Sequence, residues 1–419
     1  MTIIKFCNKK ICFGNLVFYL ILFAAFLDVV FFSDARASKE LFSSIRVFPQ
    51  AVKLVSLGLM VMYVLIAYRR PKSTALRLFE FALWLLVLLI TLNLFRMSNL
   101  YQLACAARAY YWIFAYFFFR LTVNTVSNLQ FKVLILSLLI VLLGLQMHWA
   151  AVSWTELRHQ GQTEAFSSNA ALCLQFVLLL TLCFYRFTAQ KLIVFVFCAS
   201  LVVFSLKRSI IISTGLSIGL LAAAYLRLNK IRTAGAITVL MLMIFLPTFM
   251  LNYSPVRTRF QHVASPGNSQ RWWRYIESYN HWIEANLARR IFGHGFYETS
   301  FHLQDIYYSQ HPAAEPIPLH SHSDLFQILP DLGLFGLAHL LMMHLAFWFI
   351  LWTLWKRRNR LLPSMLVFYC FYVFISFLNG AMARYETLYL MLPLAALCRE
   401  LENELQQQHC ICNDNAPLS

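Results

Sequence analysis

The sequence predicts an all-α polytopic membrane protein, with about twelve transmembrane helices and one large outward loop containing amphipathic helices. Three observations predict it. Of 419 residues, 60% are hydrophobic and only 13% charged, whereas a soluble domain is nearer half apolar and a quarter charged. Apolar runs long enough to cross a hydrocarbon core of roughly 30 Å recur from end to end. The basic residues behind a net charge of +17 sit mostly in short loops between those runs. That is the bias that orients membrane proteins, so no nucleic-acid partner is expected.

The first apolar stretch, 14–32, lacks a small-residue cleavage site and is long enough to span, so it is expected as a helix and not as a cleaved leader. Further spans are expected at 48–68, 76–95, 100–123, 133–152, 169–185, 192–206, 209–226, 233–251, 334–355, 364–379 and 387–398. Lys5, Lys9 and Lys10 place the N-terminus in the cytoplasm, and the basic loops 69–72, 227–232 and 356–360 then fall on the same side. An even number of spans returns the C-terminus there. The chain thus divides into an N-terminal membrane domain (1–251), an outward loop (252–333), the closing spans (334–398) and a cytoplasmic tail (399–419). The ten cysteines lie in spans or near the termini and none in the loop, which argues against a disulfide framework. His409, Cys410 and Cys412 read as a reduced tail before they read as a metal site.

The loop begins with the turn-rich Asn252-Tyr-Ser-Pro255 and contains Ser265-Pro-Gly-Asn-Ser269, with Ser269 placed as an N-cap. From 270 to 290, Trp272, Ile276, Tyr279, Ile283 and Leu287 recur at spacings of three and four, which predicts an amphipathic helix closing at Gly293. Its aromatic face suits membrane lipids at the interface, or packing over the spans.

The chemistry-bearing residues are few. There is no D-x-D pair, P-loop or G-x-S-x-G elbow, and the histidines lack H-E-x-x-H spacing, so neither a metal nor another cofactor is expected, with zinc on the loop's seven histidines as the alternative. Lys207 and Arg208 lie at the outer boundary of the seventh span, where an unpaired arginine is costly and calls for an anion or for lipid phosphates within reach. Arg271 falls in the first turn of the amphipathic helix, where backbone N–H groups and a guanidinium fork together suit a phosphate; a solvated loop arginine is the plainer role. Arg384, in the short loop after the eleventh span, is a further outward cation. His320 and His322 precede a short helix starting near Ser323 and Asp324, which Pro330-Asp331 and Gly333 are expected to break. The helix dipole disfavours a second proton on an imidazole there, leaving the neutral form a general base requires. Histidines at a membrane boundary also serve structural roles, and residue type does not separate the two.

His322-Ser-Asp-Leu-Phe-Gln-Ile-Leu-Pro-Asp-Leu-Gly333-Leu-Phe-Gly336 resembles the signature of the bacterial O-antigen ligase and polymerase superfamily: a His, then Gly eleven residues on and another three beyond. His320-Ser321 is similar to a His that precedes the signature in some ligases. Arg271-Trp-Trp-Arg-Tyr275 followed by Gly293-His-Gly295 resembles the family's Arg, aromatic and G-x-G, and Ser205-Leu-Lys-Arg208 its arginine-bearing span end. Ser323 stands where Asn is usual, which leaves open how the base is oriented. The resemblance implies a glycosyltransferase of the inner membrane with its active site on the periplasmic face. The donor would be O-antigen on undecaprenyl diphosphate and the acceptor a sugar hydroxyl of lipid A-core. It also implies metal-independent, inverting transfer with His322 as base. Arg208 and Arg271 would bind the diphosphate, with Lys207, Arg384 and His320 at the substrate. The single dominant loop favours ligase over polymerase. A flippase or other transporter would call for pseudo-symmetric halves, and none is seen.

Overall fold

The computed structural model describes residues 3–6, 9–12, 16–17, 20, 47–122, 208–231, 235, 238, 270–310, 319–378, 380, 382 and 387–414. These are mostly helical. A short hairpin departs from the all-α expectation: β1 (Ile3–Phe6) and β2 (Lys9–Cys12) pair antiparallel with Ile3 opposite Cys12. Its β-branched and aromatic residues Ile3, Ile4, Phe6 and Ile11 suit a strand. The expected spans at 133–152, 169–185 and 192–206, and all but single residues of those at 14–32 and 233–251, lie outside the described residues.

Helices α1 (Val47–Ala67), α2 (Thr74–Leu94), α3 (Leu100–Thr122) and α4 (Arg208–Arg227) fall where the second, third, fourth and eighth spans are expected. The loop then gives α5 (Gln270–Ile283), α6 (Leu287–Phe292) and α7 (Thr299–Gln310). Finally come α8 (Asp324–Lys356), α9 (Leu362–Leu378) and α10 (Thr387–Asp414). Three expectations are corrected. The single helix predicted over 270–290 is two helices. The Asn286 side chain accepts from Arg289 N at 2.9 Å and so caps a new helix, α6. The Arg290 guanidinium turns back onto the carbonyls of Ala285 and Ile283, satisfying the end of the first. Pro330-Asp331 does not break α8, because Pro330 is carried inside the helix; the break is at Gly333 alone, with φ 65° and ψ −154°. Nor does α10 stop at 398. The run after Cys398 is rich in Glu, Gln and Leu and holds no Gly or Pro, so nothing ends the helix before Asp414.

Among the described residues, α2 and α8 are long and apolar enough to cross a membrane, and shorter apolar stretches run over Ala51–Ala67 and Leu362–Phe377. On α8, Leu341, Leu345, Trp348, Phe349 and Trp352 form one exposed stripe at spacings of three and four. Water would penalise so much contiguous apolar surface; lipid would not.

The chain forms two compact units. One holds residues 1–69, 114–261 and 388–419. Among its described residues the charged side chain of Arg120 is fully buried and donates to Glu402 at 3.3 Å and to the Arg69 carbonyl at 2.6 Å. The other holds 70–113 and 262–387. There α2 packs along α8, with Phe79 edge-on to Phe347 at 5.0 Å and His339 Nδ1 bonded to the Ala82 carbonyl at 2.9 Å. The loop helices α5, α6 and α7 gather about the start of α8.

Candidate functional site

The second unit is organised around residues 319–333. His322 has φ 61°, a left-handed backbone that costs a non-glycine residue of order 1–3 kcal/mol and persists only where neighbours impose it. Ser321 imposes it. Its hydroxyl donates to the Ser323 carbonyl at 2.8 Å and accepts from Ser323 N at 3.3 Å, bridging across His322 from one side to the other. Ser323 then serves as the N-cap residue of α8 with φ −148°, without a side-chain cap bond. The backbone of the histidine turn, where Ser323 departs from the usual Asn, is braced here by Ser321.

Beneath this turn lies a buried polar chain. Ser321 N donates to Gln327 Oε1 at 3.2 Å, and Gln327 Nε2 donates to Asp331 Oδ2 at 2.8 Å. The Asp331 carboxylate also accepts from Tyr297 N at 2.8 Å, Thr299 N at 2.9 Å and the Thr299 hydroxyl at 2.6 Å. One carboxylate therefore caps the N-terminus of α7 and, through Gln327, fixes the histidine turn.

The glycines make this closeness possible. The break at Gly333 frees the carbonyls of Pro330 and Asp331, which accept from His294 N at 2.9 Å and Gly295 N at 3.0 Å. A Cβ on Gly293 would lie 2.1 Å from the Asp331 carbonyl oxygen, and one on Gly333 2.4 Å from that of Ile291. Backbone is pressed on backbone from both sides, so the G-x-G and the glycine eleven residues after His322 are one feature of the fold.

His320 is held by its surroundings. Its Nε2 lies 2.8 Å from the Tyr101 hydroxyl, its ring stands edge-on to Tyr297 at 5.6 Å, and its carbonyl accepts from Arg274 at 2.9 Å. The two histidine rings are 6.5 Å apart. Arg271 is the second residue of α5, in the first turn as expected. Burial, then the charge of Arg271, lowers the Arg274 guanidinium below its ordinary range, so the two cations sense each other. Tyr275 stacks on Phe326 at 4.6 Å, docking this end of α5 onto the start of α8. The expected Arg271 turn and the expected histidine turn thus meet in one unit, through Arg274 and Tyr275. Arg208 opens α4 in the other unit, while Lys207 and Arg384 lie outside the described residues.

A loop segment also reaches this region from the far end of α9. Met382 N donates to Asp324 Oδ1 at 3.1 Å, and the Met382 carbonyl accepts from Trp112 at 2.8 Å. Gly380, at φ 68°, passes close to Ser323 and Asp324.

A family model described as O-antigen ligase matches residues 193–341, a little over a third of the chain. Over that region the chain is similar to the O-antigen ligase family. The matched region runs from before α4 into α8 and holds Arg208, Arg271, Gly293, His322, Gly333 and Gly336. The O-antigen ligase superfamily comprises membrane-embedded enzymes of the ligase and polymerase type, which act on lipid-linked polysaccharides. No curated protein matches the chain.

Several residues that build this region were not singled out from the sequence: Tyr101, Arg274, Ser321, Gln327 and Asp331. Only Gln327 carried a usable signal, since it lies one helical turn from Asp331 and shares its face. Nor did the sequence gather His281, His294 and Glu298, which bring donor atoms from three segments within 4.8 Å of one another and could hold a metal ion.

Proposed function

We propose that the protein is an O-antigen ligase. It moves the glycan from undecaprenyl diphosphate to a sugar hydroxyl of lipid A-core, at the periplasmic face of the bacterial inner membrane. The observation that carries this reading is the strained, braced His322 turn beside the arginine-bearing start of α5. A base is held in a fixed place where a substrate anchored in the membrane surface can reach it.

In the proposed step His322 takes the proton from the acceptor hydroxyl as its oxygen attacks the anomeric carbon. The bond from that carbon to the diphosphate oxygen breaks, the configuration inverts, and undecaprenyl diphosphate leaves as an anion. Arg271 stabilises the charge that develops on the diphosphate, a task fixed cations perform without a metal. Arg274 holds the His320 carbonyl and so belongs to the support of the site. By resemblance we extend the diphosphate role to Arg208, Lys207 and Arg384. The twelve-span topology with one large periplasmic loop and cytoplasmic termini is part of the same proposal.

Arg271→Ala should lose about 2–4 kcal/mol of transition-state stabilisation, a rate loss near two orders of magnitude, with unchanged membrane insertion. Arg271→Lys should rescue poorly, because a point charge does not reproduce the planar fork. Wild-type transfer by the alanine variant, at matched protein level, would remove Arg271 from the site.

The single dominant loop in the sequence favours ligase over polymerase. A strain lacking the protein tests this. A ligase defect leaves long glycan unattached on its carrier lipid. A polymerase defect leaves single repeat units, and finding those would replace the ligase reading.

A further inference from the structure

Outside the His322 turn, His281, His294, Glu298 and His302 form a dense group of titratable side chains among the described residues of the second unit. They come from the last turn of α5, the Gly293–Gly295 loop, the approach to α7 and its first turn. His281 Nε2 bonds Glu298 Oε2 at 2.9 Å. The ring of His281 is sandwiched, with His294 stacked on one contact at 3.9 Å and His302 on another at 3.8 Å.

A hydrogen bond and stacking do not account for the group. His294 Nε2 is buried and, among the described residues, has no hydrogen-bond partner. A polar atom so placed is costly unless something satisfies it. Burial, then His281 beside it, pushes His294 down to about 4, so its ring is neutral, the form that ligates a metal. Glu284 and Asp305 lie within electrostatic reach of His302 and favour a cation, with Arg289 near His294 opposing them.

We propose that His281, His294 and Glu298 bind a divalent transition-metal ion, with water completing the coordination. Two imidazole nitrogens and a carboxylate suit Zn²⁺ better than Mg²⁺ or Ca²⁺, which prefer all-oxygen shells. The spacing permits it. Donors no more than 4.8 Å apart have a common centre within 4.8/√3, about 2.8 Å, of each. Closing onto an ion at roughly 2.0–2.2 Å asks each to move by less than about 1 Å. The ion displaces the proton shared by His281 and Glu298, which leaves to solvent. Access is available, because the Glu298 side chain is 38% exposed. His294 also lines an open cleft of about 470 Å³ with Arg96, Arg289 and Phe292.

The consequence is mechanical. Glu298 immediately precedes Thr299, whose N–H and hydroxyl are held by Asp331, and Glu298 N donates to the Gly295 carbonyl at 3.1 Å. An ion here clamps the G-x-G loop to the C-terminal end of the helix that carries Arg271. It serves as a positioning device and takes no part in the transfer step, so it stands whether or not the ligase reading does.

The test uses the full chain in detergent, without a polyhistidine tag and stripped with EDTA. Co²⁺ should bind with visible d–d absorption at about one equivalent, Zn²⁺ should displace it, and micromolar Zn²⁺ should raise the melting temperature by several degrees. Glu298→Gln keeps an acceptor for His281, so its metal-free melting temperature should match wild type while metal affinity falls at least about tenfold. His294→Ala should lose affinity likewise. No Co²⁺ absorption in wild type overturns the site. So does a Zn²⁺ response that both variants retain, which would assign the ion elsewhere, with Cys410 and Cys412 as the first alternative.

Discussion

Asp331→Asn is expected to lower the melting temperature sharply and to abolish measurable transfer, although the substitution changes one atom and leaves the size alone. The carboxylate accepts four hydrogen bonds from Tyr297 N, Thr299 N, the Thr299 hydroxyl and Gln327 Nε2, and donates none. Only a group with two acceptor oxygens satisfies them all. An asparagine amide must turn its NH₂ toward one side. On the Oδ1 side it faces Thr299 N–H, a donor that cannot reverse. On the Oδ2 side it faces Tyr297 N–H, equally fixed, and Gln327, which can reverse only by withdrawing the acceptor that Ser321 N needs. Either choice buries donor against donor, at about 1–3 kcal/mol for each group left unsatisfied. Two such groups give roughly 2–6 kcal/mol, a large part of the stability of a typical domain. Because Gln327 links Asp331 to the turn that carries His322, the loss reaches the site. Thr299→Ser, which keeps the hydroxyl, should be mild by comparison. A wild-type melting temperature and rate in Asp331→Asn would show that the carboxylate does not organise this region.

The contrast between that residue and the residues read from sequence explains what was legible. Apolar runs fix helices by length and composition, so α1, α2, α3, α4 and α9 fall within a residue or two of the expected spans. A left-handed or crowded backbone position needs glycine, so Gly293 and Gly333 stood out before their contact was known. The interruption between α5 and α6 was harder, because it rests on one Asn cap and a guanidinium turned back on two carbonyls. Asp331 was hidden for a different reason. Its meaning lies in partners more than thirty residues away, and in the sequence it reads as half of a Pro-Asp helix breaker. Ser321 and Arg274 act through backbone atoms of other residues, which leave no compositional trace.

His322→Ala should nearly abolish transfer, with a loss of about 10²–10⁴-fold and donor binding intact, whereas His320→Ala should leave a measurable rate. Residue type does not separate two imidazoles in one tripeptide; their surroundings do. The His320 ring is engaged by the Tyr101 hydroxyl and packed against Tyr297, and its carbonyl is held by Arg274, so its contacts are those of a wall. His322 takes the strained backbone and the bracing from Ser321 on either side, the mark of a residue placed for something other than packing. Its offsets to Gly333 and Gly336 are those of the family signature. If His322 is the base, the limb of the pH–rate profile that reports its ionisation should vanish in His322→Ala and persist, at lower amplitude, in His320→Ala. Ser321→Ala should act as a positioning defect: a lower kcat with little change in KM for the donor, since the base remains but its turn is no longer braced. Rates for the two histidine variants in the reverse order would make His320 the base and the bracing of His322 a matter of stability alone.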